Sequence, residues 1–238
     1  MRKLKKWLIG IGLTLVAALA IGLIVIKSKQ YHPSNEATVA AQTSQQVGST
    51  IKFEGNPNNP RVVFYPGALV EPKSYSLWAK RVAAAGYSVY IVHFPLDLAV
   101  LNANAAKSLT GTHGYVIGGH SLGGTMAARY AHNHPQQLKG VFFLASYPEA
   151  KGSLKKTSVP VLSVTASRDG VLNRTNYRKA AQWLPKQTVF QVINGGNHAS
   201  FGSYGHQRGD HAATISNYQQ QRAVSDLLIR WLKYQVKR

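Results

Sequence analysis

Short apolar runs alternate with helix-like segments from Ile51 onward, and this alternation limits the fold more than any other feature of the chain. The final helix-like segment starts from a capping box at Ser216 and keeps apolar residues at helical spacing. Strands that alternate with helices form a mainly parallel sheet with helices on both faces. We therefore predict an α/β fold. The predicted strands are Arg61–Tyr65, Ser88–His93, Gly114–Gly118, Gly140–Ala145, Val159–Thr165 and Thr188–Ile193.

Composition limits the size of the protein and its partners. The 238 residues, 45% of them hydrophobic, suffice for one domain with a sizeable core, and the absence of cysteine excludes disulfides and a cysteine nucleophile. Lys and Arg number 28 against 8 Asp and Glu, which gives a formal net charge of +20. Such a chain attracts polyanions, but no nucleic-acid-binding motif accompanies the charge. We expect anionic lipid or surface polymers as neighbours, or a merely solvated basic surface, and no nucleic acid.

Residues 1–29 have the pattern of a basic N-terminus followed by a transmembrane signal anchor. Four basic residues precede 20 uncharged residues from Trp7 to Ile26. A helix of that length spans roughly 30 Å, the thickness of the hydrocarbon core of a bilayer. The basic excess before the run predicts that the N-terminus stays inside and that the remainder is exported. Cleavage after Ala20, in the sequence Ala18-Leu19-Ala20, is the competing interpretation.

The remainder of the chain divides into two parts by composition. Residues 30–50 are rich in Ser, Thr, Gln, Asn and Ala without apolar periodicity, which favours a polar linker. Residues 51–238 contain all the predicted strands and form the predicted catalytic domain. With an uncleaved anchor, this domain would lie on the extracytoplasmic side of the cell membrane.

One pentapeptide carries the strongest chemical signal. Gly119-His120-Ser121-Leu122-Gly123 matches G-x-S-x-G and lies directly between a predicted strand and a predicted helix. In such a turn the serine has a strained backbone, and glycines beside it let the turn close. A dinucleotide-binding loop is the competing interpretation, but G-x-G-x-x-G is not present. We predict that Ser121 is a nucleophile on an elbow formed by Gly119, His120 and Gly123.

A serine nucleophile needs a histidine base and a carboxylate that orients the histidine. In folds with this elbow, both partners follow the serine in chain order, each in the loop after a later strand. Asp169 and His198 lie in the loops that follow the last two predicted strands. We therefore predict the triad Ser121, Asp169 and His198. Asp210 is the rival acid, and Asp97 and Asp210 are both residues that could support the site from outside the triad.

The oxyanion of an acyl-transfer reaction needs two fixed N–H donors. One donor is predicted to be the amide of Leu122, which follows the nucleophile at the start of its helix. The other is predicted in the turn Tyr65-Pro66-Gly67-Ala68, which follows the first predicted strand, with the amide of Ala68 as the donor.

His206, Asp210 and His211 invite comparison with metal ligands. Neither a fourth ligand nor a recognisable spacing supports a metal site. We therefore predict neither a metal ion nor an organic cofactor, and we assign no role to His206 and His211.

Four motifs occur in one order along the chain: Tyr65-Pro66-Gly67-Ala68, Gly118-Gly119-His120-Ser121-Leu122-Gly123-Gly124, Ser167-Arg168-Asp169-Gly170 and Gly195-Gly196-Asn197-His198-Ala199-Ser200-Phe201-Gly202. Together they resemble the α/β-hydrolase fold-5 family, small bacterial α/β-hydrolases that are similar to dienelactone hydrolases. The resemblance covers roughly residues 61–232. It implies the α/β-hydrolase fold and the same triad. One departure is Pro66, which stands where many members of the wider fold have histidine.

These features predict a membrane-anchored, extracytoplasmic serine hydrolase that cleaves a carboxylic ester of a small molecule or a wall polymer. The enzymatic alternative is an acyltransferase that uses the same triad with an alcohol or wall polymer as acceptor. The alternative from another class is a non-catalytic module that binds the cell wall or membrane. Only Ser146 to Ser158 separate two predicted strands where related enzymes insert a lid. The sequence therefore predicts no lid domain and a preference for short acyl chains.

Overall fold

The computed structural model describes residues 2–111 and 113–236. The chain forms two units, Met1–Gln30 and Tyr31–Arg238. Its helices are α1 Arg2–Lys27, α2 Asn35–Ala41, α3 Ser76–Ala84, α4 Lys107–Thr110, α5 Leu122–Asn133, α6 Arg174–Ala180 and α7 Asn217–Tyr234. Its strands are β1 Gln45–Val47, β2 Thr50–Phe53, β3 Arg61–Tyr65, β4 Val89–Ile91, β5 Tyr115–His120, β6 Leu138–Leu144, β7 Val161–Ala166 and β8 Val189–Ile193.

Within the described residues, the eight strands form one sheet in the order β1-β2-β4-β3-β5-β6-β7-β8. Strands β3 to β8 pair in parallel, whereas β2 pairs antiparallel with β1 and with β4. The six predicted strands correspond to β3 to β8, so the predicted α/β fold is confirmed. Strands β5 and β7 are buried along their whole length, as expected for strands with helices on both sides.

Helices cover both faces of the sheet with separate apolar clusters. On one face, α7 buries Val224, Leu228 and Trp231, which lie at helical spacing, against a cluster that includes Phe142. The predicted capping box at Ser216 is present at the start of this helix. On the other face, the buried residues of α5 pack with those of β5 and β6. Each large apolar side chain buried in this way contributes about 1.5–3 kcal/mol to stability.

Residues 30–50 differ from the polar linker that their composition predicts. They contain helix α2, on which Ala37, Ala40 and Ala41 are buried. Ser34 caps this helix by accepting the amide of Ala37 at 3.2 Å. Three alanines make a narrow apolar face that a hydropathy pattern hardly registers, because polar residues surround them in the sequence.

Within the second unit, the segment before α2 is bound to two loops. Tyr31 donates its amide to the carbonyl of Leu69 at 2.7 Å and accepts the amide of Glu71 at 3.1 Å. Ser34 donates its amide to the carbonyl of Ser203 at 2.7 Å. The compact unit that contains the sheet therefore begins at Tyr31, whereas the sequence predicts a domain that begins at residue 51.

The first unit contains helix α1. Across the described residues, the structure has no helix that combines the length and the hydropathy needed to cross a bilayer. The anchor over residues 7–26 stays a prediction from the sequence.

The connection between β6 and β7 is short. Residues 145–160, all of which are described, contain one short 3₁₀ turn, Ala150–Gly152. The predicted absence of a lid at this place is therefore confirmed, and the edge of the sheet beside it is not covered by an inserted domain.

Candidate active site

The topology of the sheet collects the predicted catalytic loops at one edge. Ser121 directly follows β5, Asp169 lies three residues after β7, and His198 lies five residues after β8. The loop with Ala68 follows β3, which pairs directly with β5 in the sheet. Because these strands are parallel, their carboxyl ends meet at the same edge.

Ser121 lies in a sharp turn between β5 and α5. Its φ of 51° and ψ of −126° are strained for a residue with a side chain. The neighbouring glycines make this turn possible, because a Cβ on Gly123 would lie 2.2 Å from the carbonyl oxygens of Tyr65 and Pro66. A Cβ on Gly119 would lie 2.5 Å from the backbone of the α5 N-terminus. The geometry is that of a nucleophile elbow.

Gly123→Ala is expected to lower the free energy of unfolding by about 1–3 kcal/mol, because the added methyl group meets fixed backbone oxygens. Urea unfolding followed by tryptophan fluorescence measures this loss. Gly114→Ala is the matched control, because its Cβ would meet the flexible side chain of Lys139 at 3.1 Å. Equal stability of the two variants would contradict the tight packing of the elbow.

His198 and Asp169 form a buried pair. Nδ1 of His198 lies 2.9 Å from Oδ2 of Asp169, and both side chains are almost fully removed from solvent. The other carboxylate oxygen accepts the amides of Val171 at 2.9 Å and Leu172 at 2.8 Å. Both oxygens of Asp169 are therefore occupied by donors, which fixes the plane of the carboxylate.

The ionisation of Asp169 follows from these donors. Burial raises the pKa of Asp169. The hydrogen bond from His198, the charge of His198 and the two backbone amides lower this pKa, and together they outweigh burial. The net result is a pKa below the ordinary value of 3.8. Asp169 is therefore a carboxylate at neutral pH, and it requires a proton on Nδ1 of His198.

This tautomer leaves Nε2 of His198 as an acceptor. In the described part of the chain, Nε2 is buried and has no hydrogen-bond partner, so it makes no hydrogen bond to Ser121. The ring of His198 contacts the ring of His120, the residue before Ser121, with centroids 4.5 Å apart. Hydrogen bonds between catalytic groups often close only with substrate bound. The histidine thus lies beside the elbow with an unused proton acceptor.

His120 links the elbow to the loop after β3. Its Nδ1 lies 3.0 Å from the hydroxyl of Tyr75, and this hydroxyl accepts the amide of Gly67 at 2.9 Å. Burial, with the nearby charge of His198, holds the pKa of His120 well below its usual range. Burial raises the pKa of Tyr75, so the phenol keeps its proton. Two neutral side chains therefore fix the position of Gly67.

The two predicted oxyanion donors remain available. Leu122 is the first residue of α5, where a helix leaves its amides unpaired. The amides of Gly67, Leu69 and Val70 are all engaged, whereas that of Ala68 donates to none of the residues that the structure describes. The amide of Ala68 is thus a free N–H donor among the described residues, and hydrogen bonds hold the residues on either side of it in place.

A family model described as the alpha/beta hydrolase family matches residues 61–222. The chain belongs to the α/β-hydrolase family. This agrees with the resemblance seen in the sequence motifs. No curated protein sequence matches the chain.

Solved structures share the fold of this α/β-hydrolase at low sequence identity. A predicted CIB-like hydrolase from Thermoplasma acidophilum is 18% identical with a TM-score of 0.56, over 79% of this chain and 96% of its own. A dienelactone hydrolase from Anabaena variabilis is 17% identical with a TM-score of 0.57, over 82% and 96%. A monoacylglycerol lipase from Paleococcus ferrophilus is 16% identical with a TM-score of 0.54, over 76% and 98%.

Two other carboxylates named from the sequence lie around the site of this α/β-hydrolase. Asp97 accepts the amide of Leu69 on its own carbonyl at 2.9 Å, and its buried carboxylate lies 3.3 Å from Nε2 of His93. The backbone of Asp97 thus helps to hold the loop that contains Ala68. Asp210 contacts the loops of Asp169 and His198 through its side chain.

The structure does not bring His206, Asp210 and His211 together as ligands. Both histidines are exposed, whereas the Asp210 carboxylate binds backbone amides. Within residues 2–111 and 113–236, no three side chains of the ligand types His, Cys, Asp or Glu form a group suited to a metal ion.

Two residues beside the site of this α/β-hydrolase were not predicted. Tyr75 reads as an ordinary core aromatic in the sequence, and nothing local indicates that its hydroxyl contacts Gly67. Ser146 donates its hydroxyl to the carbonyl of Ser121 at 2.5 Å. Its position could have indicated it, because Ser146 follows β6 at the edge of the sheet where the predicted catalytic loops meet.

Proposed function

We propose that this α/β-hydrolase is a serine esterase with the triad Ser121, His198 and Asp169. The buried hydrogen bond between His198 and Asp169 carries the proposal, because it leaves Nε2 as the acceptor beside the strained serine. A buried histidine with one nitrogen held by a carboxylate and the other unused is what a general base requires.

The reaction follows from these positions. Nε2 of His198 takes the hydroxyl proton of Ser121 while Oγ attacks the acyl carbon of the ester. The amides of Leu122 and Ala68 stabilise the resulting oxyanion. The tetrahedral intermediate collapses as the alcohol leaves with the proton from His198. Water, deprotonated by the same histidine, then attacks the acyl-enzyme. The acid is released as His198 returns this proton to Oγ of Ser121.

Two of the similar structures support an ester as substrate by their names. One is named for a dienelactone, which is a cyclic ester, and the other for a monoacylglycerol, which is an open-chain ester. The site of this chain supplies the elbow serine and the buried base that ester hydrolysis requires. Ester hydrolysis is therefore the reaction that we propose.

Short acyl chains are the proposed preference. The apolar side chains of the loop after His198 point into the core, where Phe201 and Tyr204 are buried, so they offer little surface to a substrate. The short connection after β6 adds no further cover. Each methylene buried against protein would add about 0.8 kcal/mol, or roughly fourfold in binding, only where apolar surface is available.

A panel of p-nitrophenyl esters from C2 to C12, with matched thioesters and anilides, tests reaction and chain length together. We expect ester hydrolysis with the highest kcat/KM at C2 to C4. A steady rise of kcat/KM to C12 would contradict the short-chain preference. Consumption of esters only after an alcohol acceptor is added would indicate acyl transfer, and inertness toward the whole panel would contradict an esterase.

We further propose that residues 7–26 anchor the enzyme in the membrane, with the catalytic unit outside. The uncharged run and the basic residues before it support this placement. Apolar side chains along α1, such as Trp7, Leu15 and Ile24, are exposed and would contact lipid. The basic chain would then face anionic lipid headgroups or surface polymers.

Protease added to intact cells or protoplasts is expected to digest the catalytic unit, while the chain sediments with membranes before digestion. A cytoplasmic protein of similar size, detected in the same cells, controls for lysis. A soluble product that begins at Ile21 would show cleavage after Ala20 instead of anchoring, and full protection from protease would contradict an external domain.

A further inference from the structure

The carboxylate of Asp210 lies between the two loops that carry the acid and the base. Oδ1 accepts the amide of Gly170 at 3.0 Å, and Oδ2 accepts the amide of Ala199 at 2.8 Å. Gly170 directly follows Asp169, and Ala199 directly follows His198. One buried side chain therefore joins the residue after the acid to the residue after the base.

The same two loops are joined on their other side by the backbone. The amide of Arg168, just before Asp169, donates to the carbonyl of Gly196, two residues before His198, at 2.9 Å. The two loops are thus joined both before and after the acid and the base. A direct hydrogen bond joins the loops before the two residues, and the carboxylate of Asp210 joins them after.

The backbone on either side of Asp210 also contacts both loops. Asn197 donates its side-chain amide to the carbonyl of His211 at 2.8 Å, and Arg168 donates to the carbonyl of Ala212 at 2.6 Å. A Cβ on Gly170 would lie 2.7 Å from the carbonyl oxygen of Gly209. Contact between the acid loop and this segment is therefore close enough to require glycine.

We propose that Asp210 is a positioning residue that sets the geometry between Asp169 and His198. The proposal rests on the proposed function, since it assigns Asp210 a role in the same triad. Catalytic groups must be held to within about 0.5 Å, and a misplacement of about 1 Å costs roughly 10²-fold in rate. Two loops from neighbouring strands would not keep that tolerance if only one side were fastened.

The chemistry of the contact explains why this residue is an aspartate. All the partners of the Asp210 carboxylate are N–H donors, because Oδ1 also accepts the amide of His211 at 3.0 Å. Asparagine has nearly the same shape but presents one oxygen and one NH₂ group. In either orientation its NH₂ would face an N–H donor, so one of the two loops loses its hydrogen bond. Asp210→Asn therefore removes the connection with little change in volume.

The test compares Asp210→Asn with Asp226→Asn in the full chain. Asp226 is a half-exposed aspartate of α7 that pairs with Arg81, away from the site. We expect Asp210→Asn to lower kcat by about 10- to 100-fold per titrated active site with KM changed less than about threefold. Asp226→Asn should match the wild type. Thermal unfolding of both variants shows whether the fold is retained.

A second readout follows the pair directly. The proton of His198 Nδ1 in its hydrogen bond with Asp169 should give a low-field resonance in the ¹H NMR spectrum. We expect it in the wild type and in Asp226→Asn, and we expect it lost or broadened in Asp210→Asn. A purely structural role elsewhere would lower the unfolding temperature and leave this resonance in place.

Wild-type kcat together with an intact resonance in Asp210→Asn would overturn the proposal. If that variant does not fold, hydrogen exchange in the wild type decides, because the proposal requires protected amides at both Gly170 and Ala199. Rapid exchange at either one would overturn it. A wild-type chain with no turnover would contradict the proposed esterase, while the resonance and the exchange rates would still report on Asp210.

Discussion

Ser121→Ala is expected to abolish ester hydrolysis, with kcat falling by about 10⁴- to 10⁶-fold. Covalent catalysis ends with the loss of Oγ, and the oxyanion donors alone retain only a small residual rate. Alanine fits the turn because it keeps the Cβ of Ser121, and the side chain of Ser121 makes no capping hydrogen bond to α5. Initial rates with a C2 or C4 p-nitrophenyl ester measure the effect.

Ser108→Ala is the control, because Ser108 is exposed and lies on helix α4, outside the loops that carry the triad. It should keep the wild-type rate. His198→Ala should be about as damaging as Ser121→Ala, since a serine without its base is a poor nucleophile. A Ser121→Ala variant that kept a wild-type rate would show that another residue is the nucleophile.

Asp169→Asn is expected to lower kcat by about 10⁴-fold with an intact fold. The NH₂ group of asparagine cannot accept the proton on Nδ1 of His198, so the tautomer with a free Nε2 is lost. Asp210→Asn should cost much less, because the carboxylate of Asp210 accepts backbone amides and does not hydrogen-bond His198. Steady-state kinetics of the two variants give this order. The reverse order would mean that Asp210, and not Asp169, is the acid of the triad.

Several elements of this fold follow from local patterns. Strand β3 has the predicted bounds, Arg61–Tyr65, and helix α5 begins at Leu122, where the elbow predicts it. Short apolar runs and helix caps involve only a few consecutive residues, so the sequence displays them directly. Parallel strands then place the loops after them at one edge. For that reason, Asp169 and His198 could be named from their position in the chain.

Other parts depend on contacts that no local pattern contains. Strand β1 is exposed along its length and polar, so it lacks the alternation of a buried strand. Helix α2 buries only alanines, and its segment looks like a linker for that reason. The hydroxyl of Tyr75 and the carboxylate of Asp210 bind backbone amides of distant loops. Such contacts exist only after the sheet has brought the loops together.

Labelling with a fluorophosphonate tests the central claim most directly, because a serine that a neighbouring base has activated reacts with this reagent far faster than other hydroxyl groups. Mass spectrometry of the digested full chain locates the modified residue. We predict one phosphonylated residue, Ser121, with labelling lost in Ser121→Ala and in His198→Ala and retained in Ser108→Ala. An unlabelled wild-type chain, or a label on any other serine, would contradict the account.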